Sequence, residues 1–270
     1  MIILQSKNVE LPDFITCFCI HFSVSCADTK KNDINSDEAV NFFQNTISQK
    51  GAAIAVRVVY EGRFCQSTTI RLRQIVGDRI DQKNYTNIYS GRDNYTIAGL
   101  SDKAISQTKW FLGKSDKWFL GKVTFETISE KLTNKTIATA FSPIAPGDYI
   151  LTGLECNIDA NARVSMGEIG HNTFFADLFS PEKLPVAGAN YIHIDKNELV
   201  DAGILDIRHQ SSHSFLFGSN TGTAEGSLTS ARFQDYLNSH FADLAKKIKF
   251  TRFEAEKSLT SETAENATKK

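Results

Sequence analysis

The chain has 270 residues, of which 30 are basic, 31 are acidic and 41% are hydrophobic, and its formal net charge is −1. This composition is ordinary for a folded soluble protein and implies no strongly basic face, so it gives little support to nucleic-acid binding. Beyond residue 26 no apolar run approaches the ~20 residues that span a bilayer, so we expect no transmembrane helix in the body of the chain.

The N-terminal region resembles a bacterial export signal. Residues 14–24 form an apolar run that ends at Ser25-Cys26, after which the chain becomes abruptly polar. The small residue before a cysteine suits cleavage before a lipid-modified cysteine, as in a lipobox, although Ser23 stands where leucine is usual. We therefore predict a signal peptide over 1–25 and lipid attachment at Cys26. Two alternatives remain open: cleaved export without lipid, and a buried strand of a cytosolic protein.

A polar stretch over 26–36 follows, and we predict that it tethers the folded body to the lipid. A short helix is expected next, because Ser36 can cap its first turn and Gly51 lies just past its end. Three apolar residues of this helix would face the core: Val40, Phe43 and Ile47.

Alternating apolar and polar residues then predict a series of short strands. The clearest run is 54–60, in which Arg57 lies on the more polar side. Further runs lie at 70–73, 123–127 and 137–141. Because turn residues separate these runs and helical signals occur only near the two ends, we predict a mainly β fold. The expected architecture over 37–253 is an antiparallel β-sandwich, with a short N-terminal helix and a C-terminal amphipathic helix packed on the sheet.

Residues 78–108 interrupt the strand pattern with a polar insertion that has no clear period. Asparagine and tyrosine are scattered through it: Asn84, Tyr85, Asn87, Tyr89, Asn94 and Tyr95. A long excursion of this kind in a β domain is either functional or a flexible insertion.

A tandem copy occupies 109–122, where Lys-Trp-Phe-Leu-Gly-Lys occurs on both sides of Ser115-Asp116. A perfect duplication this short is unlike an architectural repeat, which runs at roughly 20–50 residues. If one copy enters a strand, the other lies in a hairpin or loop, where exposed aromatic side chains would form a contact surface for a partner. The alternative is that both copies pack in the core. The candidate contact residues are Trp110, Phe111, Trp118 and Phe119.

Five cysteines are present, and the predicted export signal and lipid account for those before residue 27. Cys65 and Cys156 remain, and an oxidising periplasm would allow them to pair. Sequence alone leaves open whether they form a disulfide or are two separate buried thiols.

The C-terminal region predicts one amphipathic helix over 229–248 and then a disordered tail over 254–270. We expect the apolar stripe of this helix to dock on an open face of the sheet. The stripe consists of Phe233, Leu237, Phe241, Leu244 and Ile248.

Two short motifs carry a family resemblance. Residues 146–149 form a Pro-Gly-Asp-Tyr turn that enters a strand, and residues 186–194 provide a second signal of this kind. Together they resemble a set of uncharacterised Gram-negative envelope lipoproteins with a Pro-Gly-x-Tyr strand, similar to transthyretin-like or carboxypeptidase-regulatory-like β-sandwich domains. The resemblance covers about 137–252, and His193 stands where such proteins usually have glycine. It implies a β-sandwich in which Tyr149 is a structural core residue.

Side chains suited to catalysis or metal binding are few in this sequence. His209 and His213 have the spacing of a helical zinc site, but the glutamate of that motif is absent and the surroundings are typical of strand and loop. His171 follows Glu168 closely, and no partner for such an acid–base pair is indicated. We therefore predict no catalytic residue, no metal and no cofactor.

The predicted function is that of a lipid-anchored cell-envelope protein that acts as a binding or structural module. It would contact the membrane through its N-terminal lipid and face the periplasm or the exterior. Its partner would be another envelope protein, a polysaccharide or peptidoglycan, and not nucleic acid. Two alternatives are an envelope hydrolase that uses the His171 or His209/His213 region, and a cytoplasmic β protein with a misassigned N-terminus.

Overall fold

A computed structural model of the protein describes residues 36–107, 109–111, 120–122, 124–159, 162–169, 185–209 and 222–255. The described part of the chain is mainly β, with one large mixed sheet and several short helices. The predicted signal peptide, the lipid attachment at Cys26, all but the last residue of the predicted tether and the tail beyond 255 lie outside the described residues.

The helices are α1 (Ser36–Lys50), α2 (Asn94–Ala98), α3 (Asp102–Gln107), α4 (Phe125–Ser129), α5 (Asn134–Thr139), α6 (Ala231–His240) and α7 (Ala242–Ala245). The first strands are β1 (Ala52–Tyr60), β2 (Arg63–Phe64), β3 (Ser67–Val76), β4 (Arg79–Ile80), β5 (Thr86–Gly91), β6 (Lys109–Phe111) and β7 (Leu120–Lys122). The remaining strands are β8 (Ser142–Ile144), β9 (Gly147–Asn157), β10 (Arg163–Gly167), β11 (Ala187–Ile194), β12 (Leu199–His209), β13 (Gly222–Ser227), β14 (Ile248–Phe250) and β15 (Glu254–Ala255).

The large sheet has the strand order β2-β1-β12-β13-β11-β9-β3-β4, and shorter strands pair alongside this path. Strand β12 runs parallel to β1 and to β14, and β11 runs parallel to β13. The sheet is therefore mixed rather than purely antiparallel. Parallel pairing needs a long crossover connection, which α6 and α7 supply before β14.

The sheet curls so that its two ends meet around an apolar core. Strand β5 pairs with β3, and Ser90 of β5 donates a hydrogen bond to the backbone carbonyl of Val56 in β1. The inward side chains of both halves are buried together, among them Ile54, Ile70, Leu72, Ile88, Leu154 and Leu205.

Helices cover the outer face of β1 and β12 and form a second apolar core. Phe43, Tyr95 and Phe233 pack there against the outward side chains of β1. As a result the first eight residues of β1 are all buried, although the sequence predicts a half-buried strand. Arg57 illustrates the difference, because its side chain is 1% exposed.

Two of the predicted strands are helices. The predictions of strands at 123–127 and 137–141 are wrong, because α4 and α5 occupy most of these residues. Thr124 and Thr133 cap the two helices by accepting hydrogen bonds from the backbone N–H groups three residues later. An N-cap of this kind satisfies a free backbone donor and outweighs a short alternation of apolar residues.

The polar insertion and the C-terminal helix also differ from expectation. Residues 78–108 contain β4, β5, α2 and α3, and Tyr95 and Ile97 are fully buried. The predicted helix over 229–248 is interrupted at Phe241, whose backbone leaves the helical region (φ −138, ψ 44), and Ile248 starts β14. Phe233 and Leu237 dock as expected, since both are fully buried.

A disulfide joins Cys65, in the turn between β2 and β3, to Cys156 of β9, with Cα atoms 5.3 Å apart. Both cysteines are fully buried, and they are 91 residues apart in sequence. The bond therefore fixes the turn after β2 to the C-terminal end of β9.

A buried ion pair connects the sheet to the helices. Arg57 of β1 donates to both carboxylate oxygens of Asp201 of β12, at 2.6 and 3.0 Å. Tyr95 and Thr229 donate to the same carboxylate at 2.6 Å each, and Arg57 Nε donates to the carbonyl of Thr96 at 3.0 Å. This network joins four parts of the fold: strand β1, strand β12, helix α2 and the segment before α6.

Burial alone would raise the pKa of Asp201, but Arg57 and the hydrogen bonds from Thr229 and Tyr95 outweigh it and hold that pKa below its ordinary value. Burial, with the carboxylate of Asp201, raises the pKa of Tyr95 well above its usual range, so the phenol stays protonated and donates. The network is therefore fully hydrogen-bonded with an ionised carboxylate at its centre.

We predict that Asp201→Asn destabilises the fold by about 3–5 kcal/mol, because it leaves the buried Arg57 without its counter-charge. Urea unfolding followed by circular dichroism measures this difference. The matched control is Asp243→Asn, which removes an exposed partner of Lys246 and should change stability by less than about 1 kcal/mol. Equal small effects of the two substitutions would contradict a central role for the network.

Candidate functional site on the outer face of the sheet

The outer face of the sheet has a second region, over β5, β3 and β9, where the outward side chains are polar or aromatic. We call this region the tyrosine face. It consists of Thr69, Arg71, Tyr85, Asn87, Tyr89 and Glu155.

Strand register brings these side chains together. Tyr89 lies opposite Thr69, which in turn lies opposite Glu155, and Asn87 lies opposite Arg71. Paired residues of neighbouring strands point to the same side of a sheet, and the residues between them point to the other side. The intervening side chains are buried in the core: Ile70, Ile88 and Leu154.

The two tyrosines are the most exposed part of this face, at 52% for Tyr85 and 66% for Tyr89. Their surroundings are held by contacts, because the guanidinium of Arg71 lies 4.3 Å from the ring centre of Tyr85 and Arg71 Nε donates to Asn87 Oδ1 at 3.3 Å. Asn87 Nδ2 approaches Tyr89 Oη at 3.5 Å. Large exposed rings beside fixed polar groups can both stack on a ligand and orient it.

A mostly buried carboxylate holds the arginines of this region. Arg73 donates to both oxygens of Glu168 at 2.5 and 2.9 Å, and Arg71 lies 3.5 Å from the same carboxylate. Burial would raise the pKa of Glu168, but Arg73, Thr152 and Arg71 together lower it. Gly153 leaves room for this arrangement, since a Cβ there would come within 2.9 Å of Ile169 Cγ1.

A second polar cluster surrounds His193 at the end of β11. Its Nδ1 lies 2.7 Å from Asp148 and its Nε2 lies 2.9 Å from Asp195. Tyr191 also donates to Asp148, and Lys249 bridges Asp195 at 3.3 Å and Glu198 at 2.7 Å. Because both ring nitrogens face carboxylates, hydrogen bonds to Asp195 and Asp148 raise the pKa of His193.

We predict that His193 makes stability depend on pH. A raised pKa in the folded state means that the stabilisation is complete below the ordinary value of ~6.5 and is lost as pH rises through the folded-state pKa. The difference in unfolding free energy between the wild type and His193→Asn should therefore be larger at about pH 5.5 than at about pH 8.5. Urea titrations at the two pH values measure it, and a difference that does not change with pH would refute the prediction.

For the segment that contains the predicted partner-contact residues, the structure describes only the backbone of two short strands. Strands β6 and β7 pair antiparallel, with Trp110 opposite Gly121 and Phe111 opposite Leu120. One strand comes from each copy of the duplication. Side chains of Trp110 and Phe111, and all of Trp118 and Phe119, lie outside the described residues.

The histidines considered for catalysis or metal binding are also largely outside this part of the chain. His171 and His213 are not described, and His209 is described only as the backbone end of β12. Among the residues that are described, no group of three or more potential ligands could hold a metal ion.

The sequence draws attention to Tyr85 and Tyr89 within the polar insertion, but it does not show that they share one face of the sheet. The usable signal was the alternation of residues 85, 87 and 89 with the apolar Ile88, which predicts a strand with one polar and aromatic side. This run is short and contains or adjoins several asparagines, so the alternation is hard to recognise from the sequence.

No protein-family model matches this chain, and no curated protein and no solved structure matches it either. Over the described ranges, none of the helices combines the length and apolar character needed to cross a membrane. The geometry of the tyrosine face is therefore the main basis for a functional interpretation.

Proposed function

We propose that this chain is a lipid-anchored binding module of a bacterial cell envelope and that the tyrosine face is its binding surface. One observation carries the proposal: Tyr85, just before β5, and Tyr89, within β5, each expose more than half of their surface. Tyrosine is enriched at binding hot spots because it offers a large contact area at a small cost in side-chain entropy. The neighbouring Arg71 and Asn87 supply hydrogen-bonding groups that fix the orientation of a ligand.

The body of the protein, in this proposal, is a β-sandwich of the kind found in the envelope lipoproteins that its motifs resemble. The packing of the two halves of the curled sheet around one apolar core supports this assignment. So does Tyr149, which is 2% exposed and donates from Oη to the carbonyl of Ala145 at 2.8 Å.

Export is supported by the disulfide between Cys65 and Cys156 together with the Ser25-Cys26 pattern. Disulfides persist in the periplasm and at cell surfaces and are rare in the reducing cytosol. A lipid on Cys26 would then hold the tyrosine face near the envelope, where a weak ligand is present at high local concentration.

We predict that Cys26→Ala blocks maturation and moves the protein from the detergent phase to the aqueous phase when cells are extracted with a phase-separating detergent. The reason is that the lipid, rather than a membrane-spanning helix, would provide the anchor. Intact mass of the native protein is the companion measurement. Unprocessed protein without lipid in a native host would favour the cytoplasmic alternative.

We further predict that the Cys26→Ala chain co-sediments with isolated envelopes through the tyrosine face. Tyr89→Ala combined with Tyr85→Ala should reduce the bound fraction at least tenfold, because both stacking surfaces are removed. Phe42→Ala is the matched control, since Phe42 is an exposed aromatic residue (39%) of α1, away from this face. Equal binding by all three chains, with unchanged melting temperatures, would disprove a binding role for the tyrosine face.

A further inference from the structure

The tyrosine face has a linear layout. Asn87 and Tyr89 lie two residues apart on β5, where the Cα atoms of alternate residues are about 6.6 Å apart, and Tyr85 directly precedes this strand. Thr69 and Arg71 form a second row beside them on β3. Two adjacent rows of outward side chains suit an extended ligand rather than a compact one.

The chemistry of the face is two-sided. The tyrosine rings offer flat apolar surfaces, whereas Thr69, Asn87 and Arg71 offer hydroxyl, amide and guanidinium groups that donate and accept hydrogen bonds. A sugar ring has the same two-sided character, with C–H groups on its faces and hydroxyl groups around its edge. Such a ring can stack on tyrosine while its hydroxyls reach the neighbouring polar side chains.

The charged side chains of the tyrosine face, Arg71 and Glu155, are ion-paired within the protein. Arg73 and Arg71 share Glu168, and Arg163 pairs with Glu155. A nucleic acid or a strongly acidic polymer would need unpaired basic groups to neutralise it. Uncharged hydroxyl groups can instead use the remaining lone pairs and N–H groups without breaking these ion pairs.

Apolar partners fit the face less well. A docking helix or a lipid surface needs a contiguous hydrophobic patch, and here the two rings are separated by Asn87 and flanked by Arg71 and Thr69. Polar groups buried under such a partner would lose their hydrogen bonds to water without replacement.

We infer that the tyrosine face binds an uncharged polysaccharide chain of the envelope that lies along β5. Its sugar rings stack on Tyr85 and Tyr89, and its hydroxyl groups exchange hydrogen bonds with Asn87, Arg71 and Thr69. The inference rests on the proposed function, because it names the ligand class of the same surface.

The test uses the Cys26→Ala chain and envelopes divided into two portions. One portion is digested with protease, and the other is treated with acid to hydrolyse glycosidic bonds. Binding should survive the protease and disappear after the acid. It should also change less than tenfold between about 50 mM and about 500 mM salt, since an uncharged ligand releases no counterions.

Single substitutions then locate the contact on the protease-stripped polysaccharide. Tyr89→Ala and Asn87→Ala should each weaken binding about tenfold or more, whereas Phe42→Ala should leave it unchanged and all melting temperatures should match. Loss of binding after the protease would overturn the inference and identify a protein partner, while the proposed function would stand. If binding to the stripped polysaccharide is sensitive to salt, the ligand is charged and the inference of an uncharged chain is wrong. If binding does not depend on Tyr89, either with untreated envelopes or with the protease-stripped polysaccharide, both proposals are overturned.

Discussion

The ion pair between Arg57 and Asp201 is the constraint on which the architecture depends. Both side chains are essentially without solvent contact, at 1% and 0% exposure. Removing two charges from water costs several kcal/mol per ion, and the attraction repays it only with good geometry and further hydrogen bonds. Those bonds come from Tyr95, Thr96 and Thr229, so the helices that carry or follow these residues must dock on this part of the sheet.

Glycine is required beside this pair for a steric reason. A Cβ at Gly99 would lie 1.9 Å from Arg57 Nε, so any larger residue would displace the guanidinium. Gly203 has a positive φ of 70° and donates its backbone N–H to Asp201 Oδ1 at 3.0 Å. The network thus constrains the backbone as well as the side chains, and it makes β1 a strand buried on both faces.

In the proposed function, this arrangement also decides which part of the outer face is open to a ligand. The helices cover the outer face at β1 and β12, whereas the tyrosine face remains exposed over β5, β3 and β9. The disulfide of Cys65 and Cys156 fixes the turn that leads into β3 to β9, next to that face. A binding surface built on paired, cross-linked strands is pre-organised, which lowers the entropy cost of binding.

The strands were predictable wherever one face packs on the inner core, as at 54–60 and 70–73. Arg57 misled the interpretation because an arginine among apolar residues usually marks a solvent-facing side, and its partner Asp201 is 144 residues away. The helices after Thr124 and Thr133 were missed because they are short and begin with threonine caps rather than with a long apolar period. The tyrosine face depends on lateral register between β5, β3 and β9, which local sequence does not encode.

The central functional claim is that an envelope polysaccharide lies on the tyrosine face. The most direct measurement is a backbone amide chemical-shift map of the Cys26→Ala chain, recorded before and after addition of the protease-stripped polysaccharide. Our account predicts shifts confined to residues 67–73, 84–90 and 153–157, with none in α1 or α6. Shifts concentrated on the helices or around His193, or no shifts at a concentration where the polysaccharide is bound, would contradict it.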